Sequence, residues 1–250
     1  VDFGSAGAEV VIECTGKFLD QESCAKHLKN GVRKVIMSAP AKDDSPTYVF
    51  GVNSDSYQGE AIISNASCTT NCLGPICRVL DDAFGIENGL MTTIHSYTND
   101  QNILDVKHSK DPRRARAAAM NMIPTTTGAA KAIGKVMPHL QGKLNGYAMR
   151  VPTPDVSVVD LTVNLKKEVT KEDVHAAFNA AAEGGFKGLI EVDNDKRVSS
   201  DFIGSTYSST YVPDMTSVVN GTTVKVLAWY DNEWGYSSRL VDMTVLIGNR

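Results

Sequence analysis

The residues of this chain best suited to chemistry surround Cys68. Residues 61–72 run from an apolar segment through small polar residues into a predicted helix that ends near Gly85. Cys68 would lie at the N-terminus of that helix, where unpaired backbone amides carry partial positive charge and favour a thiolate. We therefore expect the pKa of Cys68 to fall below the value of about 8.5 found in free cysteine, and Cys68 to act as a nucleophile. The alternative interpretation is a small buried residue with no chemical role.

His95 is the candidate base for that nucleophile. Alternation along residues 91–98 places His95 on the same strand face as Thr93 and Tyr97, near the end of a predicted strand. A lone histidine on a strand is more often structural. With a candidate thiolate elsewhere in the chain, it becomes a candidate base and ion-pair partner.

The first 67 residues have the pattern of an open, largely parallel, doubly wound sheet. Short apolar strands are predicted at residues 9–12, 34–37, 48–52 and 61–64. Asp20 is predicted to cap a helix between the first two strands, which indicates a βαβ unit. In sheets of this class, ligands bind at the carboxyl ends of the strands.

After about residue 84 the strands become longer and alternate with period two, which indicates a second, α+β domain with a mostly antiparallel sheet. The clearest of these strands are predicted at residues 90–98, 156–165 and 224–229. Asn220-Gly221 predicts a hairpin turn, because both turn positions need a positive φ. Thr170 is predicted to start a helix, and residues 236–247 have the amphipathic spacing of a closing helix.

The composition is that of an ordinary folded protein and excludes several classes of function. The 250 residues are 42% hydrophobic, and 25 basic against 29 acidic residues leave a net charge of -4. This charge gives no electrostatic reason to expect a nucleic-acid or acidic-membrane partner. No apolar run approaches the roughly 20 residues of a membrane span. Five cysteines without disulfide or zinc spacing favour reduced thiols and no metal site. We therefore expect a soluble, cytoplasmic protein.

Several separated motifs carry a family resemblance. Residues 64–72 together with residues 95–101 resemble segments of phosphorylating glyceraldehyde-3-phosphate dehydrogenase. The resemblance continues in residues 113–119, 126–131, 150–154 and 229–236. It covers essentially the whole chain, and motifs in the family's order and spacing are far more specific than any one of them alone.

The resemblance implies an NAD-dependent oxidoreductase of glycolysis. Cys68 would attack the aldehyde carbon of glyceraldehyde 3-phosphate to form a hemithioacetal, while His95 takes the proton and stabilises the oxyanion. Hydride would then pass to the nicotinamide. Inorganic phosphate would cleave the resulting thioester and give 1,3-bisphosphoglycerate.

The same resemblance implies two anion sites. The substrate phosphate is expected at Thr98, Asp100 and Arg150, with Arg150 supplying a planar donor fork and Asp100 orienting rather than touching the anion. The attacking phosphate is expected at Ser67, Thr69, Thr127 and Gly128, through hydroxyls and backbone amides.

Residues 113–116 form a basic stretch that, in the family, belongs to a loop packing between subunits and bordering the active site. The resemblance therefore implies a homotetramer and makes Arg114 a further candidate for phosphate binding. A solvated charged face is the alternative interpretation of this stretch, and a simple helix cap is the alternative for residues 125–128.

Six residues are expected to contact the NAD cofactor: Thr15, Gly16, Ser38, Ala39, Asn232 and Tyr236. Asn232 matches the family position that binds the nicotinamide carboxamide, and Tyr236 would pack beside that ring. Both could instead be ordinary turn and core residues. Residues 105–112 depart from the family's usual sequence in a loop that helps to select NAD over NADP, so NADP stays open as well.

The strand, glycine-rich loop and ribose-binding acidic residue that open the family's cofactor domain are not found in the 250 residues. The resemblance therefore implies the later part of a Rossmann-type dinucleotide-binding domain at residues 1–67. It also implies a catalytic domain at residues 68–233 and a terminal helix at residues 234–250 that returns to the first domain. We expect such a chain, expressed alone, to bind dinucleotide poorly and to be weakly active or inactive.

Three other functions stay open on the sequence. A cysteine and histidine pair with a thioester intermediate also describes hydrolases and acyltransferases, although the dinucleotide-type first region argues against them. A non-catalytic binding or regulatory fragment is the second, against which the presence of Cys68, His95 and Arg150 argues. The third is a sister enzyme that acts on erythrose 4-phosphate, which the motifs do not separate cleanly.

Overall fold

The first of two sheets is parallel and lies at the start of the chain. The computed structural model describes residues 1–109 and 111–250. Three strands follow one another in space, β1 (Val10–Glu13), β2 (Lys34–Met37) and β3 (Ile62–Ser64). Parallel neighbours need a crossover connection, and β1 is joined to β2 through the short helix α1 (Gln21–Cys24). The Asp20 carboxylate caps α1 as predicted, because it accepts a hydrogen bond from the Ser23 amide.

Each face of this sheet is covered by apolar side chains, which accounts for the three consecutive apolar residues of β2 after Lys34. On one face Val35 and Met37 pack with Cys24. On the other face Ile36 packs against helix α5 (Trp234–Gly248) through Met243. The helix predicted at the end of the chain therefore covers the first sheet.

The second sheet has eight strands. They are β4 (Ile86–Ser96), β5 (Ile123–Thr126), β6 (Leu144–Val151), β7 (Ser157–Leu165), β8 (Ile190–Val192), β9 (Ser209–Tyr211), β10 (Ser217–Val219) and β11 (Thr223–Tyr230). Their order is β5-β6-β4-β7-β11-β9-β8, with β10 also paired to β11. Most pairs are antiparallel as predicted, and the β4–β6 and β8–β9 pairs are parallel. At the β10–β11 hairpin, Asn220 and Gly221 have φ angles of 53° and 71°.

Three helices pack with the second sheet or at its ends: α2 (Cys68–Phe84), α3 (Ala129–Val136) and α4 (Lys171–Glu183). In α2 the side chains of Leu73, Ile76 and Leu80 are fully buried, and each contributes about 1.5–3 kcal/mol through its removal from water. Thr170 begins α4 with a capping box completed by Asp173. None of the helices in the described part of the chain is long and apolar enough to cross a membrane.

The strand predicted at residues 48–52 is wrong. This apolar stretch forms a turn that the Asn53 side chain holds, accepting from the Val49 amide at 2.8 Å and donating to the Thr47 carbonyl at 2.9 Å. Val49 and Val52 are buried against α2, close to Gly74. Their burial therefore comes from packing against a helix. An apolar run of this length has the same sequence pattern whether it packs against a helix or forms a buried strand.

Candidate active site

Cys68 is the first residue of α2, directly after the turn that follows β3. The Ser67 hydroxyl caps the helix by accepting from the Thr70 amide at 3.1 Å. Ala66, just before it, has a φ of 58°, so the chain turns sharply between strand and helix. Cys68 is only partly buried, so that its thiol is presented at the helix N-terminus.

His95 lies beside Cys68, with 3.5 Å between the Cys68 Sγ and the His95 Nε2. The histidine comes from the carboxyl end of β4, and the other ring nitrogen, Nδ1, lies 2.8 Å from the Ser96 carbonyl oxygen. A carbonyl can only accept, so this contact calls for a proton on Nδ1. The Arg150 Nη1, which can only donate, lies 2.8 Å from the same Nδ1 and calls for the opposite tautomer. In the tautomer that satisfies the Ser96 carbonyl, Nε2 is unprotonated and directed at the thiol, as a base requires.

The expectation of a lowered Cys68 pKa is wrong in this structure. Burial raises the pKa of the Cys68 thiol, and the opposing effects of the Thr69 hydrogen bonds and the Arg150 charge are smaller. Burial also lowers the pKa of His95 to about 3, with a further contribution from the positive charge of Arg150. Burial therefore disfavours the charged forms of both the thiol and the imidazole in this structure.

A cavity of about 250 Å³ opens beside the thiol. It is lined by Ser38, Ala39, Pro40, Ser67, Cys68, Thr98, Asn232, Glu233 and Tyr236. Seven of these nine residues were predicted from the sequence as site residues. They come from β2, α2, β4, β11 and α5 or the segments next to these elements. Pro40 and Glu233 were not predicted. The structure thus brings the nucleophile and four of the six candidate cofactor residues to one cavity.

Asn232 presents one free side to that cavity. Its Oδ1 accepts from the hydroxyls of Ser96 at 2.8 Å and Ser157 at 2.7 Å, which fixes the amide plane. The Nδ2 group, whose protein partner is Glu233 Oε1 at 3.3 Å, is left as the donor toward a ligand. Tyr236 is tied by its hydroxyl to the Ala66 carbonyl at 3.1 Å. A fixed amide donor beside a tyrosine ring fits a planar carboxamide ligand.

Thr15 and Gly16 do not line the cavity beside Cys68. They follow β1, and Thr15 lines a separate cavity with Phe3 and Phe18. The Thr15 hydroxyl and amide both donate to the Glu13 carboxylate, which is buried and needs donors. The Thr15 hydroxyl therefore already has a hydrogen-bond partner within the chain.

Arg150 connects the catalytic pair to the predicted site of the substrate phosphate. It lies on β6 opposite His95 of β4, and its Nη1 is 3.0 Å from the Ser96 carbonyl and 3.3 Å from the Thr98 hydroxyl. The Nε of Arg150 is buried with no hydrogen-bond partner among the described residues. A buried, unpaired guanidinium donor beside Thr98 is a group to which an anion can bind.

The Arg114 side chain is bound by neighbouring residues. This contradicts, at this position, the alternative interpretation of residues 113–116 as a solvated charged face. Its Nε donates to the Thr125 hydroxyl at 2.9 Å, and its Nη2 donates to the Thr126 carbonyl at 3.3 Å. Its Nη1 pairs with the Asp100 carboxylate. Asp100 therefore pairs with a cation, Arg114, in this structure. Arg116, by contrast, is solvent-exposed and pairs with Asp105.

The four residues predicted for the attacking phosphate lie at two helix N-termini. Ser67 and Thr69 begin α2, and Thr127 and Gly128 precede α3. The Thr127 hydroxyl accepts from the Ala129 amide at 3.2 Å, so a capping role is also present. None of the hydrogen bonds within the described ranges joins one pair to the other, so the two termini are separate groups of donors.

Sequence reasoning missed the polar support of the catalytic pair. The Tyr230 hydroxyl lies 2.9 Å from the hydroxyls of both Thr69 and Thr93, and its ring meets the His95 ring edge-on at 5.9 Å. Burial raises the pKa of Tyr230 well above its ordinary value. Strand alternation in β11 marks Tyr230 as facing inward, but no sequence signal gives its partners.

Comparison with known proteins identifies the family. Residues 67–232 match the family model described as glyceraldehyde 3-phosphate dehydrogenase, C-terminal domain. A glyceraldehyde-3-phosphate dehydrogenase of Geobacillus stearothermophilus is 58% identical over 250 residues, which cover 99% of this chain and 74% of the relative.

Two further relatives carry the same name. The protein of Mycobacterium avium is 57% identical over 247 residues, covering 98% of this chain and 72% of the relative. Glyceraldehyde-3-phosphate dehydrogenase 1 of Bacillus subtilis is 55% identical over 252 residues, covering 100% and 75%. A family model over more than half of the chain and relatives of this identity agree with the geometry around Cys68 and His95, and the chain belongs to the glyceraldehyde-3-phosphate dehydrogenase family.

Proposed function

We propose that this chain oxidises glyceraldehyde 3-phosphate with NAD and inorganic phosphate and forms 1,3-bisphosphoglycerate through a thioester on Cys68. The observation that carries this proposal is the 3.5 Å contact between the Cys68 Sγ and the His95 Nε2 at the wall of a cavity. Membership of the glyceraldehyde-3-phosphate dehydrogenase family supports the same oxidoreductase role in glycolysis.

The first step joins sulfur to carbon. As the Cys68 sulfur attacks the aldehyde carbon, its proton passes to the His95 Nε2, and the carbonyl oxygen gains negative charge. The imidazolium that forms is a donor for that oxygen, and it returns the proton to give a neutral hemithioacetal. His95 is suited to this exchange because its Nε2 lies 3.5 Å from the Cys68 Sγ.

When bound, the nicotinamide end of NAD would supply the hydride acceptor for oxidation of the hemithioacetal carbon. His95 removes the hydroxyl proton at the same time, so that a thioester is left on Cys68. The cavity wall fits the nicotinamide group, since Asn232 offers a fixed amide donor and Tyr236 offers a ring. Ser38 and Ala39 lie at the carboxyl end of β2, where ligands of parallel sheets bind.

In the last step a phosphate oxygen attacks the thioester carbon, the carbon–sulfur bond breaks with its electron pair going to the Cys68 sulfur, and the acyl phosphate leaves. We assign the substrate phosphate to Arg150 and Thr98, with the unpaired Arg150 Nε in support. Asp100 acts through its pair with Arg114. The attacking phosphate is assigned to the two helix N-termini, through Ser67, Thr69, Thr127 and Gly128.

We further propose the domain division into residues 1–67, 68–233 and 234–250. The change from a parallel to a mostly antiparallel sheet supports the first boundary. A homotetramer is proposed because apolar side chains such as Leu90 and Tyr147 are exposed on neighbouring strands of the second sheet. Five free cysteines support a cytoplasmic location.

The test is the phosphate-dependent reduction of NAD by glyceraldehyde 3-phosphate, followed by absorbance. It is run on this chain and on the same chain extended at its N-terminus by the segment in which the Geobacillus relative exceeds it. Cys68→Ser is expected to abolish activity, and Cys14→Ser, at an exposed cysteine, is the matched control. Erythrose 4-phosphate serves as a competing substrate. A folded, extended protein without phosphate-dependent activity on either substrate would refute the dehydrogenase assignment.

A further inference from the structure

The turn in front of the nucleophile is strained. Ala66 has a φ of 58° and is fully buried. This left-handed conformation is unfavourable for a residue with a Cβ, because the Cβ crowds the backbone. Ala66 is followed directly by Ser67 and Cys68, so its conformation determines where the first turn of α2 begins. Other groups must therefore hold the turn in place.

The Asn71 side chain bridges that turn. Its Nδ2 donates to the Asn65 carbonyl at 2.8 Å and to the Ser67 carbonyl at 3.0 Å. These two carbonyls belong to the residues on either side of Ala66. The Asn71 Oδ1 is buried with no partner among the described residues. Leaving a buried acceptor unpaired is unfavourable, so the orientation of this amide is set by its two donated bonds.

Two other side chains hold the same turn from outside the helix. The Ser64 hydroxyl accepts from the Ala66 amide at 3.1 Å, and the Tyr236 hydroxyl donates to the Ala66 carbonyl at 3.1 Å. Asn71 differs from both because it lies on α2, three residues after Cys68. Its amide therefore links the helix that carries the nucleophile to the strained turn that precedes it.

We propose that Asn71 is a positioning residue for the nucleophile: it holds Ala66 in the left-handed conformation and thereby keeps the Cys68 thiol beside His95. Without the two bonds, Ala66 relaxes toward an extended conformation and the start of α2 shifts. Cys68 then loses contacts that favour its thiolate, among them the Thr69 amide and hydroxyl. This role rests on the proposed function of Cys68, but it can be measured without dehydrogenase activity.

The experiment measures the rate at which iodoacetamide alkylates Cys68, between pH 6 and pH 10, by mass spectrometry of the peptide that contains it. Four variants are compared with the parent chain: Asn71→Ala, Ala66→Gly, the double variant and Asn53→Ala. Asn53 is the matched control, since its side chain also holds a turn by hydrogen bonds to two backbone groups, in a segment away from Cys68. Glycine adopts the left-handed conformation at little cost, so Ala66→Gly removes the need for the clamp.

We expect Asn71→Ala to lower the alkylation rate near pH 7 by about tenfold, the population change that corresponds to the cost of a left-handed residue. Its pH profile should move to higher pH. Adding Ala66→Gly should restore most of the rate, whereas Asn53→Ala should leave it unchanged. An unchanged rate in Asn71→Ala, an equal loss in Asn53→Ala, or no rescue by glycine would overturn the proposal.

Asn71→Ala by itself could fail to fold. The decisive comparison is then the double variant against Ala66→Gly alone. The proposal expects the double variant to fold and to react at the rate of Ala66→Gly. Failure of the double variant to fold would show a structural role independent of the turn and would overturn the proposal.

Discussion

At the scale of single residues, burial disfavours the charged forms of both members of the candidate catalytic pair, Cys68 and His95. It raises the pKa of Cys68 and lowers the pKa of His95, so the ion pair between them is disfavoured in the resting site. The positive charge of Arg150 lowers the pKa of both groups. It favours the thiolate form of Cys68 and disfavours the imidazolium form of His95. A substrate phosphate bound at Arg150 would offset that charge. Substrate binding would then make His95 a better proton acceptor when the thiol attacks.

The lowered pKa of His95 predicts a dependence of stability on pH. The pKa is about 3 in the folded state against 6.5 in the reference state. Between these values the unfolded chain binds more protons, so the free energy of unfolding falls as the pH falls, by up to about 1.4 kcal/mol per pH unit from this group. His95→Gln removes the contribution. Unfolding free energies of parent and variant are measured with urea at pH 7, 6, 5 and 4. The value for the parent should fall, relative to that for the variant, with each step to lower pH. A difference that does not change with pH would contradict the assignment.

Arg150→Lys tests the role of the guanidinium fork. Lysine keeps the charge but loses the planar donor set, and a charged hydrogen bond contributes about 1.5–3 kcal/mol. We expect kcat/KM for glyceraldehyde 3-phosphate to fall on the order of 10- to 100-fold by the same estimate. The value for unphosphorylated glyceraldehyde should change far less. Arg78→Lys, in an exposed pair with Asp82, is the control. Equal losses on both substrates would show that Arg150 supports the catalytic pair instead of the phosphate.

At the scale of elements, the sequence predicted most strands and helices because each follows a local rule. Ser67 and Thr170 cap their helices, and the Asn220-Gly221 turn closes its hairpin. The strand at residues 48–52 failed because burial against a helix and burial in a sheet leave the same apolar pattern. The raised Cys68 pKa also escaped prediction. Helix position is visible in a sequence, whereas the desolvation that opposes it depends on chain segments distant in sequence.

A comparison of two helix-cap variants distinguishes an effect on stability from an effect on phosphate binding. Ser67→Ala and Thr170→Ala each remove a side chain that accepts from a backbone amide of the first turn. Each should lower the free energy of unfolding by about 1 kcal/mol, measured with urea. Ser67→Ala should also raise the KM for inorganic phosphate, because Ser67 is assigned to the attacking phosphate, whereas Thr170→Ala should leave this KM unchanged. If both variants kept the parent's KM for phosphate, Ser67 would be a cap and nothing more.

At the scale of the whole molecule, the two residues of the candidate catalytic pair come from segments next to different sheets. Cys68 follows β3 of the parallel sheet, and His95 ends β4 of the mostly antiparallel sheet. Helix α5 then returns to the parallel sheet through Met243 and supplies Tyr236 to the cavity on the way. Because the candidate site takes residues from both sheets, its geometry depends on their packing against each other.

Assembly into an oligomer should depend on the solvent-exposed face of the second sheet that carries Leu90 and Tyr147. Leu90 is 67% exposed and Tyr147 is 49% exposed, on strands that pair directly. Apolar side chains of this size on one sheet face indicate a covered surface in the assembled protein. Leu90→Glu places a carboxylate there, which is costly to bury without a partner. Light scattering should therefore show a lower mass for Leu90→Glu than for the parent at micromolar concentrations. Met215→Glu, at a side chain that is 51% exposed on another part of the surface, should keep the parent's mass. An unchanged mass for Leu90→Glu would place the subunit contacts on a different face.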